Sequence, residues 1–338
     1  MRLEAPFWWY RKTGALASAL APLGRLYGRI AEARAARIEP YRSQLPVICI
    51  GNFTAGGGGK TPTAIAIASL LAELGAKPAF LTRGYGGASK GPILVRQGQS
   101  AEEVGDEPLL LAEAAPTMVA ADRVAGATAI EASEASVIVM DDGFQNPRLI
   151  KDLSLIVVDA AVGLGNGLII PAGPLRAPLE AQIARAGALI VIGDGGKAAR
   201  LIEAFTAQSK PVLKARMVPR QDRRWLGVLP VIGFAGIARP AKFFATLRNE
   251  GARLIDTHSF PDHHRYTERE ARRLLKAATE QNAMLVTTEK DYVRLADDPE
   301  TALGELKHRC RPFPIAVEFE DAGALKELLA AVLAKAHA

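Results

Sequence analysis

Cysteine is nearly missing from this chain: Cys49 and Cys310 are the only two in 338 residues, and they lie far apart. They form no disulfide framework and suit a reducing cytoplasm, with Cys49 reading as a small buried apolar residue of a strand. Aromatic residues are scarce too, at 6%. No basic stripe is interleaved with them, which argues against a nucleic-acid partner. No apolar run reaches the ~20 residues that a membrane-spanning helix needs. Internal repeats and low-complexity tracts are absent. Acidic residues fall short of basic ones, 36 against 42, for a formal net charge of +6. An anionic partner is therefore favoured, such as phosphate or acidic lipid headgroups. What remains is an ordinary globular composition, 49% hydrophobic and 23% charged, with length enough for two domains.

The chain is organised around Pro46 to Thr63. Val47 to Ile50 reads as a buried strand, followed by a glycine-dense turn and a helix that begins near Lys60. Thr54, Ala55, Gly56, Gly57, Gly58 and Gly59 form the turn, whose backbone N–H groups would point inward at phosphate oxygens. Lys60 would reach the β- and γ-phosphates, the Thr61 hydroxyl would complete a Mg²⁺ shell, and the helix N-terminus adds positive charge. A strict P-loop has glycine where Thr54 stands, so the match is to Gly-x-x-Gly-Lys-Thr after a strand. An ordinary glycine-rich βα turn is the alternative.

A second strong pattern is Val137 to Met140 followed by Asp141-Asp142-Gly143-Phe144-Gln145. Carboxylates at the C-terminal end of a buried parallel strand sit where open α/β sheets bind ligands, and there they hold or orient Mg²⁺. A solvated Asp-Asp-Gly turn is the plainer reading. Asp106 and Glu107 open another helix, where capping alone would account for them. Strands alternate with helices throughout, which predicts a parallel sheet. The expected architecture is α/β: a P-loop NTPase-type domain over 41–215 and a smaller α/β domain over 216–338, divided near the charged 220–224. The smaller series includes a strand over 314–319 and a closing helix over 322–335.

Residues 1–40 predict an N-terminal interfacial helix. Trp8, Trp9 and Tyr10 would sit at headgroup depth beside Arg11 and Lys12, and an apolar run over 15–24 would lie on the membrane without crossing it. A core-packed helix and a weak imitation of a secretory signal are the alternatives.

Together these stretches resemble the tetraacyldisaccharide 4'-kinase family, which phosphorylates the lipid A precursor. The motifs are Gly51-Asn52 with Thr54 to Pro62, Arg83-Gly84-Tyr85-Gly86, Gly105-Asp106-Glu107-Pro108, Asp122-Arg123 and Asp141 to Gln145. Gly173-Pro174-Leu175-Arg176, Phe260-Pro261-Asp262-His263 and Thr287-Thr288-Glu289-Lys290-Asp291 follow in the family's order. Two positions depart from the family: Gly58 replaces a hydroxyl residue, and Asn146 replaces a histidine. The resemblance implies ATP and Mg²⁺, a lipid-linked glucosamine disaccharide carrying one phosphate, and transfer of the γ-phosphoryl to its 4'-hydroxyl. It also implies a peripheral protein on the cytoplasmic face of the bacterial inner membrane, meeting an anionic surface; the chain is expected to be monomeric.

A sugar hydroxyl is a poor nucleophile, so a carboxylate should accept its proton. Asp106 is the candidate, with His263 against it as a dyad, as in the family; a surface histidine is the alternative. Glu107 and Thr61 would hold Mg²⁺, Asp141 and Asp142 would order metal and water, and Lys60 and Arg176 would neutralise phosphoryl charge. Arg83, Arg123 and Gln145 complete the candidate site. Two other classes compete: a non-catalytic membrane scaffold, and the switch-type ATPases whose Lys-Gly-Gly-x-Gly-Lys-Thr begins with a lysine. Ala55 stands at that lysine's place and argues against the switch.

Overall fold

The computed structural model describes residues 6–56, 58–220 and 223–336. Gly57 of the glycine-dense turn, Gln221 and Asp222 of the charged connector, and the first five residues lie outside the described residues.

In chain order the strands are β1 (Val47–Gly51), β2 (Pro78–Thr82), β3 (Ile93–Leu94), β4 (Thr117–Val119), β5 (Val137–Asp141), β6 (Leu153–Asp159) and β7 (Ala188–Ile192). They continue with β8 (Val212–Pro219), β9 (Val231–Ala235), β10 (Leu254–Ser259), β11 (Met284–Thr288), β12 (Cys310–Phe313) and β13 (Ile315–Phe319). Nine form one sheet, ordered β13-β8-β7-β6-β1-β5-β2-β4-β3, and four form another, β10-β9-β11-β12. The large sheet is parallel except at its two edges, where β13 on β8 and β3 on β4 are antiparallel.

Continuous apolar runs build this architecture because helices cover both faces of a parallel sheet. Val47 and Cys49 pack into one core with Ile138 and Met140. Ile48 and Ile50 pack into the other with Ile67 and Leu71 of α2 (Lys60–Glu73). Burial pushes the Cys49 thiol up to about 12, so it is an inert apolar side chain, as its position in a strand suggests.

Strand pairing corrects the expected division at the end of the chain. β13 and the helix Ala322–Ala336 do not extend the smaller series; β13 pairs with β8, Ile315 opposite Pro219 and Phe319 opposite Ala215. Val317, Leu325 and Leu329 bury in the core shared with α2. A strand followed by an apolar helix can complete either sheet, and only the free edge at β8 decides which. The chain therefore crosses between the sheets twice, side by side, with the Arg220 N–H donating to the Pro314 carbonyl at 3.0 Å.

The N-terminal expectation also changes. Trp9 is buried, and its Nε1–H donates to the Pro171 carbonyl at 3.0 Å, while the Tyr10 hydroxyl donates to the Ala55 carbonyl at 3.4 Å. Those rings line the cleft beside the glycine-dense turn, and Trp9 packs against the protein itself. The exposed apolar surface lies further on, along α1 (Ala15–Ala35), where Leu16, Leu23, Leu26, Tyr27 and Ile30 face outward. Gly24 explains the arrangement: a Cβ there would come within 2.6 Å of the Ile169 carbonyl oxygen, so α1 docks through its small residues. No helix among the described residues is long and apolar enough to cross a membrane.

Candidate active site

β1 and β5 are neighbours and run parallel, so the glycine-dense turn and Asp141 emerge at the same sheet edge. Gly59 caps α2 at φ 90°, a left-handed conformation that side-chain-bearing residues rarely adopt. A Cβ there would also strike Met217 and Ile192. Gly58 has nothing within 4 Å of where its Cβ would be, so the family's hydroxyl residue would fit there equally well. Lys60 is buried; its Nζ donates to the Gly56 carbonyl at 3.2 Å and lies 3.7 Å from Asp142 Oδ1. The Thr61 hydroxyl donates to Asp141 Oδ2 at 3.2 Å.

Asp141 Oδ1 is buried without a hydrogen-bond partner. Burial, with Glu107 and Asp142 adding like charge, pushes the Asp141 carboxyl up to about 7. Buried oxygens beside crowded carboxylates call for a cation. Among the described residues no three His, Cys, Asp or Glu side chains converge as a complete ligand set. The Thr61 hydroxyl and the unpartnered Asp141 Oδ1 fit Mg²⁺, which commonly takes one or two carboxylates with substrate phosphates and water. Of the expected ligands, Thr61 and Asp141 touch. Glu107 accepts from Lys290 Nζ at 2.6 Å, and Asp142 sits between Lys60 and Arg176. Those two cations, with Arg123 and Lys290, outweigh burial and hold the Asp142 carboxyl below its usual range. Asp142 adopts φ 50°, a strained setting for a non-glycine residue that aims its carboxylate between them.

Asp106 and His263, 157 residues apart, meet: His263 Nδ1 lies 3.1 Å from Asp106 Oδ2. His263 also has a positive φ, 56°. The helix Asp106–Ala112 belongs to the large-sheet side, and His263 to the loop after β10 of the small sheet. A third member escaped sequence reasoning. Arg294, just beyond the quoted Lys290-Asp291, donates to Asp106 Oδ2 from Nε at 3.0 Å and also from Nη2. Burial would raise the Asp106 carboxyl, but the His263 hydrogen bond and the charges of Arg294 and Lys290 hold it well below its usual range. No motif marked Arg294; its spacing of three from Asp291 was the available signal.

Arg176 reaches the turn from the other side. Its Nε donates to the Thr54 carbonyl at 3.2 Å, and its Nη2 is 3.9 Å from Asp142 Oδ2. Gln145 donates to Gln182 Oε1 at 2.5 Å, and buried Gln182 donates to the Ala177 carbonyl at 2.8 Å, tying the Asp141-Asp142 loop to the Arg176 loop. Gln182 is a second residue that sequence reasoning passed over. Asn146 Oδ1 accepts from the Arg148 N–H at 2.9 Å, so this side chain braces its own loop. Arg83 is exposed and Arg123 buried, both on the cleft wall. Burial, then Arg83, push the Arg123 guanidinium down to about 10, and its Nε has no hydrogen-bond partner, as expected of a site for an anion.

A glycine turn ahead of Lys-Thr, with a buried carboxylate on the neighbouring parallel strand, defines a protein of the P-loop NTPase type. The model of the tetraacyldisaccharide-1-P 4'-kinase family matches residues 16–334, and the chain belongs to that family. It is 51% identical to the tetraacyldisaccharide 4'-kinase of Methylobacterium sp. (strain 4-46), over 98% of each chain. It is 47% identical to that of Rhodopseudomonas palustris (strain BisB18), over 99% of this chain and 97% of the other. A crystal structure of the "apo" form of LpxK from Aquifex aeolicus in complex with ATP superposes with TM-score 0.73 and 27% identity, covering 94% and 99%. The chain is accordingly an ATP-dependent kinase that phosphorylates the 4'-hydroxyl of a tetraacylated glucosamine disaccharide 1-phosphate in lipid A biosynthesis.

Proposed function

We propose that the two halves of the cleft divide this reaction between them. Thr54 to Thr61 cradle the ATP phosphates, and Lys60 and Arg176 neutralise the charge that develops as the γ-phosphoryl moves. Asp106 and His263 take the proton of the attacking 4'-hydroxyl. Thr61 and Asp141 would hold Mg²⁺, with Glu107 and Asp142 nearby; when bound, the ion would neutralise phosphate charge. Arg83 and Arg123 receive the phosphate already on the acceptor. The observation that carries this reading is the convergence of Lys60, Arg176, Glu107 and His263 on one cleft. Incubation with γ-labelled ATP and purified acceptor should label the lipid, and chelation of divalent metal should abolish the label. Label transfer undiminished by chelator would remove Mg²⁺ from the account.

We propose further that the protein acts peripherally at the cytoplasmic face of the bacterial inner membrane, as a monomer. Its contact is the outward stripe of α1, flanked by exposed Arg25, Arg29 and Arg34. An amphipathic helix of this kind lies in the interface, held by apolar burial and by attraction to anionic lipid. Leu23, Leu26 and Ile30 changed together to Ser should lower partition onto phosphatidylglycerol vesicles at least tenfold, because each buried aliphatic side chain contributes about 1.5 kcal/mol or more. Binding should also weaken with salt. Unchanged vesicle flotation of the triple variant would place the contact elsewhere.

A further inference from the structure

We infer that Arg294 is the positioning residue of the Asp106–His263 pair, carrying the geometry of the small-sheet side onto a carboxylate that belongs to the large-sheet side. The inference rests on the assignment of that pair to proton transfer. Its motive is a problem of construction. The two members belong to the sides of different sheets, which the chain links covalently by the crossings after β8 and before β13. Arg239 and Lys242 also tie the two sides at Asp159, away from the pair itself. A carboxylate and an imidazole held by separate frames align only if something fixes one frame to the other.

Arg294 has the contacts to do so, and its side chain is 6% exposed. One edge faces home: Nη1 donates to the Gly236 carbonyl at 2.7 Å and to Asp291 Oδ1 at 2.9 Å. The other edge crosses the cleft, Nε and Nη2 both reaching Asp106 Oδ2. A planar guanidinium fixes the angle between its two edges, which a lysine ammonium does not.

The home side is itself held rigidly. Asp291, wholly buried, accepts at Oδ1 from the Gly236 N–H at 2.9 Å and the Tyr266 hydroxyl at 2.9 Å, and at Oδ2 from the Thr288 hydroxyl at 2.6 Å. The Gly236 carbonyl that takes Arg294 also takes the His263 backbone N–H at 3.0 Å. One peptide unit thus holds both the histidine and the arginine that orients its partner. A Cβ at Gly236 would lie 3.0 Å from Asp291 Oδ1, a tight contact that glycine avoids. The remaining Asp106 oxygen, Oδ1, accepts from the Glu107 N–H at 3.1 Å, leaving the carboxylate fixed at both ends.

The test is a double-variant cycle on the full-length enzyme. Arg294→Gln should lower kcat at least tenfold with ATP Kd unchanged within twofold. In a His263→Ala background the same change should cost less than threefold, because no pair is left to align. Arg294→Lys keeps the charge but not the two-edged geometry, and should restore less than half of the loss. If Arg294→Gln does not fold, Arg294→Lys and Asp291→Asn are read by the same cycle. An equal loss in both backgrounds, tracking the fall in Tm, or full rescue by lysine would overturn the proposal in favour of a structural or purely electrostatic role. Should Asp106→Asn and His263→Ala themselves be silent, the pair assignment fails instead, and that outcome is distinguishable because it needs no Arg294 variant.

Discussion

Lys60→Ala should leave a folded protein whose kcat is reduced by about 10²–10³, the loss that follows removal of one preorganised contact to a developing charge, ~3–4 kcal/mol. The side chain is buried, but its partners belong to the site: the Gly56 carbonyl in its own turn and Asp142 at 3.7 Å. No strand pair or core contact depends on it, so the melting temperature should change little. Thr61→Ala should act in the same direction through a different route. Its hydroxyl bonds Asp141, and its loss leaves that buried carboxylate with neither oxygen partnered. The apparent Mg²⁺ requirement should therefore rise along with the fall in kcat. Circular dichroism, Tm and steady-state kinetics over a metal titration decide the matter. A folded Lys60→Ala enzyme with near-wild-type kcat would show that the turn is not the phosphate cradle.

The second large effect is expected at the pair that closes across the cleft. Asp106→Asn and His263→Ala should each lower kcat by about 10²–10⁴, the usual range for proton-transfer groups, while ATP Kd stays within about twofold. The acceptor hydroxyl, not the nucleotide, is what they serve. The double variant should be little worse than the more damaged single one, since groups acting as a unit are lost as a unit. Asp106→Asn carries a further consequence. It replaces the anion facing Arg294 by a neutral amide, so part of its effect should be visible as a lower Tm, whereas His263→Ala should spare stability more. Strict additivity of the two losses would dissolve the pair.

These expectations separate what is local in the chain from what is not. The strand–turn–helix around Lys60 was legible because each part has its own signature: a β-branched run, glycines, then Lys-Thr before an apolar helix. Asp141 and Asp142 were legible for the same reason, as carboxylates ending a continuous buried strand. The family's motifs carried Asp106, His263 and Arg176 as names in order, without their distances. What stayed hidden was everything set by contacts between distant segments. Arg294 has no flanking pattern; it matters because the Asp291–Gly236 framework turns it toward a carboxylate 188 residues away. Glu107 is a candidate metal ligand in sequence, but its partner Lys290, 183 residues away, is set only by folding. Trp9 looks like an interfacial anchor, yet the loop at Pro171 accepts its indole N–H and buries it. Residues 315–319 look like the end of the smaller series, yet the unpaired edge of β8 draws them into the large sheet. Short-range periodicity and turn chemistry determine elements and local sites, because both act over a few residues. Which edge, partner or face an element meets depends on the closure of the whole chain, and tertiary structure alone decides it.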